Sequence, residues 1–200
     1  SAGGESGQKV AVRLLEWDSR QVAPRGEILE VLGWPDEVGV DIRGIILRHG
    51  LREEFPSEVL REAEQISSAA DDEASRGRVD WREKVVITID PADARDFDDA
   101  ISVRRLADGW ELAVHIADVS HYVKPDTAID HEARKRGNST YLVDRVLPML
   151  PEQLSNGICS LVPGEDRLTR CAVMHFDRKG TMVRSRFEQA MIRSHRELTY

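Results

Sequence analysis

Residues 85–106 read VVITIDPADARDFDDAISVRRL, and this stretch decides what kind of domain the chain builds. An apolar, β-rich run, VVITI at 85–89, delivers the backbone into five aspartates within ten residues: Asp90, Asp93, Asp96, Asp98 and Asp99. A second β-rich run, ISVRRL, follows at once. The succession of strand, acidic loop and strand predicts carboxylates gathered at the end of a buried sheet. Pro91 fixes the backbone just past the first aspartate, while Ala94 and Phe97 are apolar anchors, so the loop can be ordered before any ligand arrives.

Carboxylates packed this tightly repel one another and raise one another's pKa unless a cation neutralises them. A hard divalent ion is the natural counter-charge, and Mg²⁺ is commonly held by a few carboxylates, waters and substrate phosphates. Two such ions activate a water and stabilise a leaving oxygen, with one carboxylate free to position the water. Hydrolysis of a nucleic acid backbone is the reaction that fits. A solvated acidic turn is the commoner fate of an Asp-rich stretch, but such turns are rarely bracketed by apolar strands. A calcium loop of EF-hand type is disfavoured because the mid-loop Gly and the closing Glu are missing.

Working outward, Ala107-Asp108-Gly109 between ISVRRL and WELAVHIADV predicts a hairpin. DTAIDHEARKR at 126–136 predicts a helix with Asp126 as N-cap, Lys135 and Arg136 in its last turn and Gly137 as its stop. LTRCAVMHFD and TMVRSRFEQAMI predict another hairpin around Arg178-Lys179-Gly180. Upstream, a helix from Pro56 to about Ala74 would place Val59, Leu60, Ala63, Ile66 and Ala70 on one face, with Ser57 as N-cap.

Residues 9–33 hold two β-rich runs separated by a polar connection with Pro24 and Gly26 as breakers, read as the terminal hairpin of a barrel. VGVDIRGIILRHGL, which follows, is compatible with a strand or a short helix. The expected class is α+β. Its parts are a flexible lead-in over 1–8, a partial β-barrel over 9–50, a helical linker over 51–82, and the aspartate-bearing domain over 83–200.

Hydrophobic residues make up 40% of the chain, enough with four Trp for a real core, and the 32% that is charged alternates with Leu, Ile and Val. No window is apolar enough to span a membrane, and the N-terminus lacks a basic patch followed by an apolar run, so the expectation is a cytoplasmic protein. Cys159 and Cys171 show no CxxC or framework spacing and read as packed thiols in a reducing compartment. A net charge of −8 weighs against broad electrostatic binding to nucleic acid.

His115 lies in an apolar strand and reads as structural. His121, His131, His175 and His195 have no ligand spacing. Asp118 ends the same strand as His115, and structural hydrogen bonding is preferred there over approach to the aspartates. Arg134, Lys135, Arg136 and Arg145 surround Tyr141, either to guide phosphates or to suit a helix C-terminus.

Thr88–Ile101, TIDPADARDFDDAI, resembles the signature of the RNB catalytic domain of the RNase II/RNase R family. The likeness continues through HIADVS at 115–120, Tyr122-Val123, RGNSTYL at 136–142, LPMLP at 147–151 and LSNGICSL at 154–161. GNSTY and LSNGICSL are closer to bacterial RNase R than to RNase II. Residues 9–50 are similar to the end of the second cold-shock domain, an OB-type barrel. The resemblance implies a partial OB-type β-barrel followed by the first half of a mixed α/β RNB nuclease domain.

It also implies a Mg²⁺-dependent 3′-to-5′ exoribonuclease, with Mn²⁺ as a substitute, that degrades single-stranded RNA to nucleoside 5′-monophosphates. On the same basis Asp98 is the catalytic carboxylate, Asp90, Asp96 and Asp99 are metal ligands, and Tyr141 clamps the 3′-terminal nucleotides. Without that likeness Tyr141 would read as a core aromatic. The rest of the catalytic domain, an S1-type domain and association with the ribosome or RNA-decay machinery are expected by the same resemblance. Much of the positive RNA-binding surface would lie in those further parts, and the 200 residues alone would turn over poorly or not at all. The competing expectation is a non-catalytic RNA-binding or regulatory piece whose aspartates hold a structural ion.

Overall fold

The computed structural model of the chain describes residues 3–15, 17, 20–68 and 76–200. In chain order the elements are β1 (Lys9–Leu14), β2 (Gly26–Gly33), α1 (Val40–Arg48), α2 (Ser57–Ser68), β3 (Val79–Asp80), β4 (Ile87–Ile89), β5 (Asp99–Arg105) and β6 (Gly109–Ala117). There follow α3 (Val119–Tyr122), α4 (Ala128–Arg136), β7 (Thr140–Tyr141), β8 (Val146–Leu147), a π-helical turn (Gln153–Ile158), β9 (Asp166–Asp177), β10 (Met182–Arg193) and β11 (Arg196–Leu198). They form two compact units, Ser1–Glu54 with Ser139–Leu147, and Phe55–Asn138 with Pro148–Tyr200. No described helix is long and apolar enough to cross a membrane.

In the first unit β1 and β2 pair antiparallel, as the breakers at Pro24 and Gly26 predict, with register shifts that bend the hairpin. Among the described residues these two strands form a two-stranded sheet, a piece of a barrel. The undecided run resolves as helix: Gly39 takes a left-handed φ of 89° ahead of α1, which buries Val40 and Ile46. Arg43 of α1 reaches Glu30 of β2 (Nε···Oε1 3.2 Å) and also pairs with Glu53. The short β7–β8 hairpin belongs to this unit.

The second unit is built on a seven-stranded sheet in the order β11-β4-β5-β6-β9-β10-β3. Its middle is antiparallel, while β11 and β3 join the edges in parallel. Both predicted hairpins are present as β5–β6 and β9–β10. Strand alternation turns Ala113, His115 and Ala117 of β6 inward with Ala100, Cys171, Val173, Ala190 and Ile192, and Trp81, Phe97 and Leu161 complete this core from connecting segments. A second cluster packs α2, α4 and the π-helical turn through Val59, Ala63, Ile129 and Leu154. Both thiols are buried, and that burial pushes each up to about 12, the character of packed rather than reactive cysteines.

Several expected boundaries move. VVITI is a strand only over Ile87–Ile89, with Val85 exposed, and β5 begins at Asp99, so the last aspartate of the loop is a strand residue. The cap of α4 is Thr127, not Asp126: the Thr127 Oγ1 accepts from the Asp130 amide at 3.3 Å. Asp126 has φ 65° and its own amide donates to the Asp130 carboxylate at 2.9 Å, so it stands outside the helix. Ser57 is the first residue within α2, and the Pro56 carbonyl receives the Val59 and Leu60 amides. Leu60 points partly to solvent, whereas Ala70 and the rest of the expected helix to Ala74 lie outside the described residues.

Candidate active site

The acidic loop is held at both ends and in its middle. At the entry, the Asp90 amide donates to the Leu198 carbonyl at 3.0 Å, tying the end of β4 to β11. Pro91 then starts a turn closed by the Ala94 amide on the Pro91 carbonyl at 3.0 Å. In the middle Phe97 is buried in the sheet core, and its carbonyl accepts from the Leu161 amide at 3.0 Å. At the exit the Ala117 amide donates to the Asp98 carbonyl at 2.9 Å, fixing the loop against the end of β6. Backbone groups that a loop would otherwise leave unmet are thus satisfied by its own turn, by β6 and β11, and by Leu161.

The carboxylates of this anchored loop act on one another through their charge. Asp90 is half-buried, and its Oδ2 is buried with no hydrogen-bond partner. Burial first, and then the charges of Asp99, Glu197 and Asp96, push the Asp90 carboxyl above its ordinary range. Asp98 is exposed on one side, but protein crowding it pushes its carboxyl up, with Asp96, Asp99 and Asp90 adding to the effect. Asp93, also exposed, stays outside this set of mutually acting charges. Four aspartates singled out in the sequence therefore act on one another, and Glu197 of β11 joins them at Asp90.

An all-oxygen, mutually repelling donor set with one orphaned buried acceptor fits a hard divalent cation. Among the described residues no three His, Cys, Asp or Glu side chains converge into a ready-made cage. The oxygen donor chemistry suits an ion that takes waters and substrate oxygens beside its carboxylates.

Glu197 carries no local signal in the sequence; parallel pairing of β11 with β4 sets it opposite Thr88 and so beside the loop. Ser160 lies in the LSNGICSL run at 154–161, yet nothing local to the sequence assigns it a role. Its buried hydroxyl accepts from the Phe97 amide at 3.1 Å and donates to the Arg95 carbonyl at 2.8 Å.

Tyr141 belongs to the other unit, in β7 opposite Val146, and its side chain is 67% exposed, which is unlike a core aromatic. Asp118 is structural: its buried carboxylate receives Arg78 at 2.7 Å, Arg170 at 3.1 Å and the Ser120 hydroxyl at 2.8 Å. Burial pushes its carboxyl up, but those three hydrogen bonds together outweigh the effect and hold it below its ordinary range. His115 is fully buried, edge-on to Trp81 at 5.0 Å, with neither ring nitrogen hydrogen-bonded. Of the basic residues near Tyr141, Arg136 is buried against Glu132 and over the Phe55 ring, Arg134 pairs with Asp130, and Arg145 with Asp144 and Glu53. Each of those three serves an acidic neighbour in its own unit.

Comparison with known proteins places this geometry. Residues 78–200 match the RNB domain, and residues 1–56 match the cold shock domain. Ribonuclease R of Thermotoga maritima is 48% identical over 201 residues, which is 99% of this chain and 28% of that protein. A structure described as Mycoplasma genitalium RNase R in complex with double-stranded RNA superposes with a TM-score of 0.91 at 33% identity, covering all of this chain and 36% of that one. Yeast Ssd1, described as a pseudonuclease, shares the fold at 17% identity with a TM-score of 0.79, over 97% of this chain and 25% of that one. The chain spans about a quarter to a third of the length of these relatives. With more than half of its residues matched by the RNB model, the chain belongs to the RNB-domain family that includes bacterial ribonuclease R.

Proposed function

We propose that the protein containing this chain is a 3′-to-5′ hydrolytic exoribonuclease that degrades single-stranded RNA to nucleoside 5′-monophosphates, with Mg²⁺ as cofactor and Mn²⁺ as a substitute, in the cytoplasm. The observation that carries this reading is the set of four mutually acting aspartates, Asp90, Asp96, Asp98 and Asp99, on a loop anchored to the sheet. The likeness to ribonuclease R supports it. Fold alone does not, since a pseudonuclease shares it.

Asp90, Asp96 and Asp99 would hold the metal, with the orphaned Oδ2 of Asp90 offering an acceptor that has no protein partner. Bound Mg²⁺ supplies Lewis acidity toward the phosphate and lowers the pKa of water. Asp98, whose carboxyl is held above its ordinary range by burial and by its three neighbours, is suited to orient the attacking water and take up its proton. The exposed Tyr141 ring stacks on 3′-terminal bases, a contact that ignores base identity because every base has a π-face. In this reading residues 9–50 belong to the cold-shock-like part, 51–82 connect, and 83–200 carry the aspartates.

The test is hydrolysis of a 3′-ended single strand by the intact protein while Mg²⁺ is titrated. Asp98→Asn should lower the rate by about 10²–10⁴-fold, the usual contribution of a positioned base. Normal Mg²⁺-dependent hydrolysis by that variant would sink the assignment. The competing reading is a non-catalytic RNA-binding role in which the aspartates hold a structural ion. RNA binding indifferent to metal and to the chemistry of the 3′ end, without hydrolysis, would establish it.

A further inference from the structure

The acidic loop lacks the regular hydrogen bonding of a strand between Asp90 and Asp98, yet one residue outside it holds its centre. Ser160 is 1% exposed and lies just after the π-helical turn Gln153–Ile158. Its hydroxyl bridges two loop backbone groups, donating to the Arg95 carbonyl (2.8 Å) and accepting from the Phe97 amide (3.1 Å). These groups flank Asp96 on either side, and Asp98 follows Phe97 directly. The adjoining Leu161 amide donates to the Phe97 carbonyl at 3.0 Å, so consecutive residues grip the loop from one direction.

The grip is itself anchored. Arg167 Nε donates to the Ser160 carbonyl at 2.7 Å, and its guanidinium also reaches the Gly157 carbonyl at 3.5 Å. Gly157 has φ −102° and ψ −112°, a kink outside helix and strand geometry within the turn. Arg167 enters β9, so the chain of contacts runs from the sheet through Arg167 and Ser160 to the aspartates.

We infer that Ser160, braced by Arg167, is a positioning residue for Asp96 and Asp98: its hydroxyl sets the backbone on both sides of Asp96 and so the spacing of the carboxylates that would receive the metal. This inference rests on the proposed metal-dependent function and adds a part to it. A hydroxyl does this work because it donates and accepts at once; neither an alanine nor a thiol of similar size reproduces both bonds at full strength.

The experiment uses the intact protein with Ser160→Ala and Ser160→Cys. Three quantities are read: Mn²⁺ affinity by electron paramagnetic resonance, hydrogen exchange of peptides spanning residues 94–100, and the melting temperature. The expected result is Mn²⁺ affinity about tenfold lower in Ser160→Ala, the scale seen when a group supporting a metal ligand is removed. Exchange should be faster at residues 94–100 and unchanged in β6 and β9, with Ser160→Cys between Ser160→Ala and the unaltered protein. Wild-type Mn²⁺ affinity in Ser160→Ala overturns the inference. So does exchange that rises equally across the sheet, since that is general destabilisation. Asp90→Asn with undiminished Mn²⁺ affinity would instead overturn the metal assignment, and exchange at 94–100 then decides the Ser160 clamp by itself.

Discussion

A single histidine illustrates how burial sets chemistry. His115 lies inside the sheet with no hydrogen-bond partner for either nitrogen, and burial pushes it down to about 4, with a smaller opposing pull from Glu188. Because its folded pKa lies below the ordinary value of 6.5, the unfolded chain binds the proton more readily. Its contribution to stability is therefore full above pH 6.5 and is lost as pH falls toward 4. The expected loss across that window is roughly 3 kcal/mol. His115→Leu should flatten this part of the stability–pH curve in chemical denaturation; an unchanged slope would show that His115 does not titrate there. The carboxylates behave in the opposite sense. Asp90 and Asp98 have raised values, so their mutual repulsion is absent when both are protonated and grows as pH rises through those values. Local sequence made the aspartates legible because five of them crowd one loop. It said nothing of Glu197, nearly a hundred residues along the chain.

At the scale of elements, periodicity and turn chemistry named the long hairpins and helices α2 and α4, misplaced several ends, and left α1 undecided. Asp108-Gly109 reads as a hairpin turn, which it is, but the reason for glycine lies elsewhere. A Cβ on Gly109 would stand 1.9 Å from the Phe176 carbonyl oxygen of the neighbouring strand β9. Gly109→Ala therefore forces backbone apart and should cost about 3 kcal/mol, the upper end of ordinary overpacking. A melting temperature equal to that of the unaltered protein would refute the close approach. The cap of α4 shows the complementary case, in which two neighbouring residues both have capping chemistry. Thr127 wins because Asp126 is turned into a left-handed conformation and spends its amide on Asp130. Composition cannot rank two such candidates, since the choice depends on the path of the chain entering the helix.

At the scale of the molecule, the sheet collects residues that sequence keeps far apart. Arg78, Asp118 and Arg170 meet at one end of it, with the Asp118 side chain 0% and the Arg78 side chain 5% exposed. Removing one partner of a buried ion pair leaves the other charge uncompensated, so Asp118→Ala should destabilise the second unit by about 3–5 kcal/mol. Arg170→Ala should cost far less, about 1 kcal/mol or below, because that arginine is half in water. Equal effects of the two variants in chemical denaturation would contradict the buried pairing. The relatives show the same arrangement of elements across all of this chain while extending well past it in length. What the present residues share with those relatives is the sheet and the anchored aspartate loop it positions.

What the sequence determined by itself was local: an aspartate loop between strands, two hairpins and helices α2 and α4 of the second unit, and the identity of the family through a long run of matching motifs. Tertiary structure alone decided which charges act on one another, that Ser160 holds the loop, that Asp118 belongs to a buried ion pair, and that the charge of Glu197 reaches Asp90. The physical reason is the reach of the interactions. Turn geometry, capping and alternation are set by residues within a few positions, so they leave a local signature. Carboxylate repulsion, buried pairing and the hydrogen bonds that fix a loop depend on strand register between distant segments, and register becomes definite only when the whole sheet has formed.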